Sequence, residues 1–422
     1  MRQTKFFNSF IDQIAVGTLA KEPIRIVRGQ LLTRLRQPMP TNIYRARSSF
    51  GLVALSLLLA SCQSGLENSG VTNDVAPPSS TAVEEQFGSK GTEITLLLEK
   101  GGEGYFEGAA RDVRDGAELA LGELGGDQVH VKVVPIDADA GNLSAAVASA
   151  SERKSALLVS YAAPAITKGI TAVVPSKRPL LINLGPAVST GGGGIFNFEV
   201  DETDSIVQGA SVAIAGGTTN FLLFVQKNYP ADFESQVSAA VGKVGGKIVG
   251  TTRFNTNGAG VLEQVKAMKD KLGQAGVALI AGNTMATVNV VSALKAEDAT
   301  KAMAFVGTSG WPETSYSAPA AKGVLVVTYD KEDLALIADR YSRHYKRPVS
   351  DQAAYGYDIV ALASGLIRAK GEKGLEMKTL LSKSGFKGLT GRFQFNGDGS
   401  TSRRLVPYSI ANGRLNPLAS GG

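Results

Sequence analysis

Short apolar runs alternating with longer amphipathic stretches, sustained from about residue 93 to residue 410, constrain this 422-residue chain more than any other feature. A strand that is apolar at nearly every position is one covered on both faces, as parallel strands are when crossover helices pack on either side. The first series predicts strands at 94–98, 129–136, 156–160 and 179–183, with helices over about 108–124, 142–153 and 165–173 between them. A second predicts strands at 220–225, 247–254, 277–281, 302–306 and 323–328, separated by helices over 231–244, 260–273 and 284–295 with glycine stops near their ends. Two such series imply an α/β chain of two Rossmann-like lobes, each with its own parallel sheet. Helices over 332–345 and 352–369, and strands at 392–396 and 405–410 around Gly397-Asp398-Gly399, complete one lobe or the other, and periodicity alone does not assign them.

The segment before this body reads as a leader. Arg45 and Arg47 precede an apolar stretch over 50–60 that runs up to Cys62, the single cysteine of the chain. The stretch is too short to span a bilayer and has the flanking charge of a secretory signal. Leu59-Ala60-Ser61-Cys62 resembles the lipobox of bacterial lipoproteins, which implies a leader and signal peptide over 1–61 and a lipidated Cys62 as the mature first residue. Starting at Met39 gives a signal of ordinary length, so Met39 is the expected initiator. Residues 62–91, rich in Ser, Gly, Asn, Thr and Pro, read as a lipidated N-terminus and a disordered tether. As a flexible coil the tether would span about 30 Å.

Charge excludes one class of partner. The formal net charge is +6, but nine of the 44 Lys and Arg and only two of the 38 Asp and Glu precede Gln63, which leaves the rest of the chain with one excess acid. A near-neutral body with no basic run has no surface for counterion-release binding to nucleic acid. Without a cysteine beyond Cys62 there is no internal disulfide and no Cys-based zinc site, so the fold rests on its apolar core.

Catalytic motifs are weak throughout. Gly102-Glu103-Gly104-Tyr105-Phe106-Glu107-Gly108 has the spacing GxGxxxG and not the GxGxxG of dinucleotide-binding turns, and its glutamates would set negative charge beside a pyrophosphate. Ser151-Glu152-Arg153-Lys154 and Ser384-Gly385-Phe386-Lys387 match the Ser–Lys spacing of penicillin-recognising enzymes without their companion motifs. His130 and His344 are the only histidines, which leaves little material for a histidine triad or a multi-histidine metal site. The glycines over 191–194 read as a flexible loop. No enzyme, cofactor or metal is expected.

From about residue 93 to 414 the chain resembles the type I periplasmic solute-binding proteins of the leucine/isoleucine/valine-binding group. The resemblance is carried by the strand at 94–98 with its Gly-rich turn, by Gly116-Ala117-Glu118-Leu119-Ala120, by Tyr355-Gly356-Tyr357-Asp358, and by Gly388-Leu389-Thr390-Gly391-Arg392-Phe393. It implies two lobes joined by three crossovers that close on a small solute at strand C-termini. Lobe 1 is expected over 92–215 plus about 330–386, and lobe 2 over 216–329 plus about 387–422. Ligand loops are implied at 101–106, 160–167 and 183–187 in the first lobe, and at 226–233, 282–284 and 307–311 in the second. The ligand-binding candidates on them are Tyr105, Phe106, Tyr161, Thr167 and Asn183, then Tyr229, Asn283, Ser309 and Trp311.

Amino-acid binders of that group hold the ligand carboxylate on hydroxyls and backbone N–H groups, and its ammonium on a second-lobe acid. Here Ala162-Ala163-Pro164-Ala165 and Gly307-Thr308-Ser309-Gly310 supply few such groups, with Glu313 or Asp330 as alternative acids. A buried ammonium left unpaired would abolish useful affinity for a zwitterion. The resemblance implies a periplasmic, lipid-anchored substrate-binding component of an ABC transporter, with a small organic, amino-acid-like solute and a permease as partners. The incomplete clamp also resembles the lipoprotein activators of penicillin-binding proteins, which use this body as a docking scaffold. Gln63 beside Cys62 points to the outer membrane of a Gram-negative cell, which suits an activator.

Overall fold

The computed structural model describes residues 83–100, 105–124, 127–188 and 192–418, the side chain of Tyr105 excepted. The start at Met39, the lipobox at Cys62, the tether up to residue 82 and residues 101–104 of the first ligand loop lie outside the described residues.

The first sheet is built by β1 (Glu85–Phe87), β2 (Thr92–Glu99), α1 (Tyr105–Leu124), β3 (Val129–Ile136), α2 (Ala140–Glu152), β4 (Leu157–Tyr161), α3 (Pro164–Thr171), β5 (Leu180–Asn183) and β6 (Ile195–Asn197). The chain then crosses into α4 (Glu202–Ala215), β7 (Asn220–Gln226), α5 (Phe233–Lys243), β8 (Lys247–Phe254), α6 (Val261–Ala267), α7 (Lys269–Leu272), β9 (Val277–Ala281), α8 (Ala286–Ala296), β10 (Ala304–Gly307) and β11 (Leu325–Tyr329). It returns through α9 (Ala335–Tyr345), α10 (Asp351–Lys370), α11 (Met377–Leu380), β12 (Phe386–Gly388), β13 (Gly391–Phe395) and β14 (Thr401–Arg403). A hairpin of β15 (Leu405–Ala411) and β16 (Arg414–Pro417) ends the described chain.

The first sheet has the order β1-β3-β2-β4-β5-β6, with β2 to β6 parallel and β1 antiparallel on the edge. The second has the order β16-β15-β11-β10-β9-β7-β8, parallel from β8 to β11 with the final hairpin antiparallel beside it. Period-two alternation divides each strand between two cores. Leu96 and Leu98 pack with α1 and α10, while Leu97 packs with α2 and α3. Likewise Phe221 and Leu223 face α4 and α5, and Leu222 and Phe224 face α6 and α8. Asp139 and Asp201 start α2 and α4 by accepting the N–H groups of Asn142 at 2.8 Å and Thr203 at 2.7 Å.

Four expectations change. The tether reading extended to residue 91, yet Glu85–Phe87 pairs with β3. Arg114 bonds the Glu85 carboxylate at 2.5 Å and lies 4.5 Å over the Phe87 ring, which fixes this short strand. A lobe limit at 215 would place α4 with the first sheet, but Ile206, Ala210 and Ala213 pack on the second. A limit at 386 would give β12 and β13 to the second lobe, but Phe393 and Phe395 pack against Phe198 and Phe196 in the first. The helix over 260–273 is two helices, because the N–H of Met268 turns to Val265 in place of continuing the i→i−4 ladder.

The family-like motifs of the sequence meet in one seam. A Cβ added at Gly116 would lie 1.9 Å from the Ala353 carbonyl oxygen, and one at Gly356 would lie 2.1 Å from that of Val113, so α1 and α10 touch backbone to backbone. Farther along α10, the Asp358 carboxylate accepts both backbone N–H groups and the hydroxyl offered by Leu389 and Thr390. Gly356→Ala is expected to lower the unfolding free energy by about 1–3 kcal/mol through overpacking. Gly365→Ala on the same helix, where an added Cβ meets nothing within 4 Å, should raise it by about 0.5–1 kcal/mol. Urea unfolding of the two variants checks the contrast, and equal effects would contradict the seam.

Candidate functional site

β6 leaves the first sheet from its C-terminal end and β11 leaves the second from its C-terminal end, so the crossovers join the C-terminal edges of the two sheets. Ligands of parallel α/β sheets sit outside those edges. In the first lobe the edge is formed by Glu99, by Tyr161 with Ala162 and Ala163, and by Asn183. In the second it is formed by Gln226, by Gly282 and Asn283, and by the loop over 307–311.

Several expected ligand residues are committed to the fold. Asn183 is fully buried, with its amide donating to Pro186 O at 2.9 Å and Asn197 Oδ1 at 3.0 Å while its oxygen accepts the Gly185 N–H at 3.2 Å. Thr167 is also fully buried and donates to Ala162 O at 3.3 Å. Trp311 donates its indole N–H to Ile280 O at 2.9 Å inside the second core. Tyr161 is fully buried with Phe106 at 6.2 Å between ring centroids, and the Tyr105 side chain lies outside the described residues. Tyr229, Asn283 and Ser309 are partly exposed on the second-lobe edge. Gln226 orients Asn283 through bonds of 2.9 and 3.2 Å, and Ser205 holds the Ser309 N–H at 3.0 Å.

An acid stands on the second-lobe edge at a place the sequence reading did not consider. Glu202, in the first turn of α4, accepts the Tyr229 hydroxyl at 2.5 Å and the Thr308 hydroxyl through its other oxygen. Gly310 leaves room for it, since a Cβ there would lie 2.5 Å from Glu202 Oε1. Asp330, one alternative acid, accepts the Glu332 N–H at 3.1 Å in a local turn. Glu313, the other, has a side chain 57% exposed and stands 3.5 Å from Lys331 Nζ. The usable signal for Glu202 was an acidic residue in the first turn of a helix that opens directly from a crossover.

Around the first crossover the charge is predominantly negative. Burial raises the pKa of Glu202, against the lowering effect of the Thr308 and Tyr229 hydroxyls. Glu199 is pushed from an ordinary 4.5 up to about 8 by burial and by Glu202, Asp351 and Asp201. Burial opposes the charge on Lys331, but Asp351 and Glu313 outweigh it and raise its pKa. Asp351 also accepts the Tyr329 hydroxyl at 2.6 Å. Among the described residues no group of three or more His, Cys, Asp or Glu is arranged to hold a metal ion.

The raised pKa of Glu199 carries a sign. The folded state binds its proton more tightly than the unfolded chain, so the stability it contributes is complete below about 4.5 and is lost as pH rises through about 8. Thermal midpoints of the wild-type protein between pH 5 and 9 should therefore fall more steeply than those of Glu199→Gln. Parallel profiles would contradict the assignment.

The chain matches a family model described as periplasmic binding protein over residues 100–414. No curated protein is significantly similar in sequence. Among solved structures, the solute-binding protein of an ABC transporter from R. palustris in complex with benzoate is 14% identical, with a TM-score of 0.61 over 78% of this chain and 95% of its own. A leucine-binding protein from Thermotoga maritima is 15% identical, with a TM-score of 0.58 over 77% of this chain and 97% of its own. An ABC transporter substrate-binding protein from Desulfitobacterium hafniense in complex with Leu is 16% identical, with a TM-score of 0.59 over 78% of this chain and 100% of its own. These three share the fold, and the family match over most of the described body shows that this chain belongs to the periplasmic binding proteins.

Proposed function

We propose that this protein is the solute receptor of an ABC transporter of the branched-chain amino acid type, anchored through a lipid on Cys62 and working in the periplasm. The observation that carries this reading is a pair of parallel sheets joined at their C-terminal edges, within a family match that spans residues 100–414. In the proposed cycle a small organic solute enters between the edges and meets Tyr229, Asn283 and Ser309 on the second lobe. Its contacts with both lobes favour the closed form, which a permease then reads. The structural neighbours include one bound to benzoate and one bound to Leu, so this fold accommodates more than one solute class.

Thermal unfolding of the mature protein with a panel of amino acids, organic acids, amines, amides and muropeptides tests the reading. A solute at a hundredfold excess over its dissociation constant stabilises the native state by about 2.7 kcal/mol. One chemical class should raise the midpoint and contract the radius of gyration in small-angle scattering, whereas a flat response across the panel would remove the receptor reading.

A second reading, an activator of a penicillin-binding protein, is favoured by the internal commitment of Thr167, Asn183 and Trp311, which leaves the expected amino-acid clamp short of donors. It requires direct binding to a purified peptidoglycan synthase with a rise in its rate. Absence of both effects would exclude it.

A further inference from the structure

Lys331 lies on the second crossover, between β11 and α9, and its ammonium meets one carboxylate from each lobe. The first-lobe partner is fixed. Asp351 opens α10 just after its Ser350 cap, and its Oδ1 accepts Lys331 Nζ at 2.6 Å together with the Tyr329 hydroxyl at 2.6 Å. Tyr329 is itself buried in the first-lobe core, 6.1 Å from Tyr355 between ring centroids. Behind the ammonium, the Lys331 backbone N–H donates to the Tyr408 hydroxyl at 2.8 Å. With only 14% of its side chain exposed, the lysine depends on Asp351 for its charge to be tolerated.

The second-lobe partner is loose. Glu313 begins the short turn Glu313–Ser317, and its Oε1 stands 3.5 Å from Nζ, longer than a good N–H···O bond, with 57% of its side chain exposed. The turn belongs to the second lobe: the Ser315 hydroxyl donates to Pro312 O at 2.6 Å and the Tyr316 hydroxyl to Trp311 O at 3.3 Å, and both rings are buried in the second core. Among the described residues, every other ion pair lies within one lobe or joins a crossover to the first lobe, as Lys387 with Asp333 does. Glu313 is therefore the one acid that the second lobe brings to a cation held by the first.

We propose that Glu313 and Lys331 form an electrostatic catch between the lobes, which holds them at the angle seen here until the contact opens. A rotation that carries Glu313 off by a few ångströms leaves Lys331 on Asp351, so the catch releases without stranding a buried charge. Lobes joined by narrow crossovers move relative to one another unless a large apolar interface prevents it, and the bias of the catch falls on that motion. An ion pair with one exposed partner is screened by salt and shifts an equilibrium by up to about fivefold, enough to bias the lobe angle and too little to lock it. The inference concerns the protein without solute and goes beyond the receptor reading, so either can fail while the other stands.

Cys62 is the single cysteine of the chain, so a Cys62→Ser background accepts pairs of spin labels without interference. Ala148→Cys on α2 pairs with Ala239→Cys on α5 and, in a second sample, with Ser292→Cys on α8. All three positions are exposed, and α5 and α8 cover opposite faces of the second sheet, so a change of lobe angle is read on two distances. Double electron–electron resonance on the mature chain at low salt then compares the parent with Glu313→Gln, which removes the charge and keeps the size. The variant should shift the interlobe distance distribution, changing the ratio of its populations by about twofold to fivefold. Raising sodium chloride to about 1 M, where the Debye length falls to about 3 Å, should move the parent toward the variant and leave the variant unmoved. Glu263→Gln, an exposed acid on α6, should match the parent. Superimposable distributions for the parent and a folded Glu313→Gln would overturn the catch, as would the same salt response in both. Should the variant not fold, the parent alone decides: distances that do not move between low salt and about 1 M overturn the proposal.

Discussion

One buried carboxylate ties together segments that lie far apart along the chain. Asp358, near the middle of α10, accepts the Leu389 N–H at 2.6 Å, the Thr390 N–H at 3.0 Å and the Thr390 hydroxyl at 2.6 Å. Thr390 in turn receives Arg403 on its hydroxyl oxygen at 2.6 Å and on its carbonyl at 3.1 Å, and the same guanidinium donates to Phe198 O at 2.8 Å. That guanidinium also lies 4.1 Å over the Phe198 ring. Helix α10, the β12–β13 turn, the third crossover and the first crossover are thereby one hydrogen-bonded unit. Burial raises the Asp358 pKa while the Thr390 and Leu389 donors oppose it, so the donors are what make a charge tolerable there. A Cβ at Gly388 would lie 2.4 Å from the Asp358 carboxyl carbon, so the turn can approach this closely only without a side chain.

This unit also holds the crossover that carries the neighbouring acids. Phe198 and Glu199 are adjacent, and Asp201 and Glu202 follow at the start of α4, so the crossover that Arg403 grips is the one that carries the carboxylates. The Arg403 guanidinium is engaged by Thr390, by Phe198 and by the aromatic rings, and Asp358 is an acid that acts on its charge. The first crossover is thus gripped by a guanidinium and carries carboxylates. Family membership supplies the two-lobed frame.

Much of the frame was legible because its strands are covered on both faces and announce themselves as apolar runs. β1 was not, since three residues with one aromatic carry no period and the strand depends on Arg114, 29 residues away from Glu85. The placement of α4 escaped for a different reason: a helix pattern records which face is apolar and says nothing about which sheet it meets. At the site, polar residues near strand ends were taken for ligand groups, but Asn183 and Trp311 answer buried carbonyls of their own lobes. Two carboxylates at the strand edges pair across 64 residues for Glu99 with Ala163 and 106 for Glu202 with Thr308, separations at which local pattern has no purchase.

The short antiparallel strand at the edge of the first sheet has a mechanical consequence. Whatever precedes residue 83 enters the body through Glu85–Phe87, which is held to β3 by its ladder and to α1 by Arg114. Any load arriving from that side is therefore delivered to the first sheet. Three residues of edge strand, with one arginine across from them, therefore fix where the described body begins.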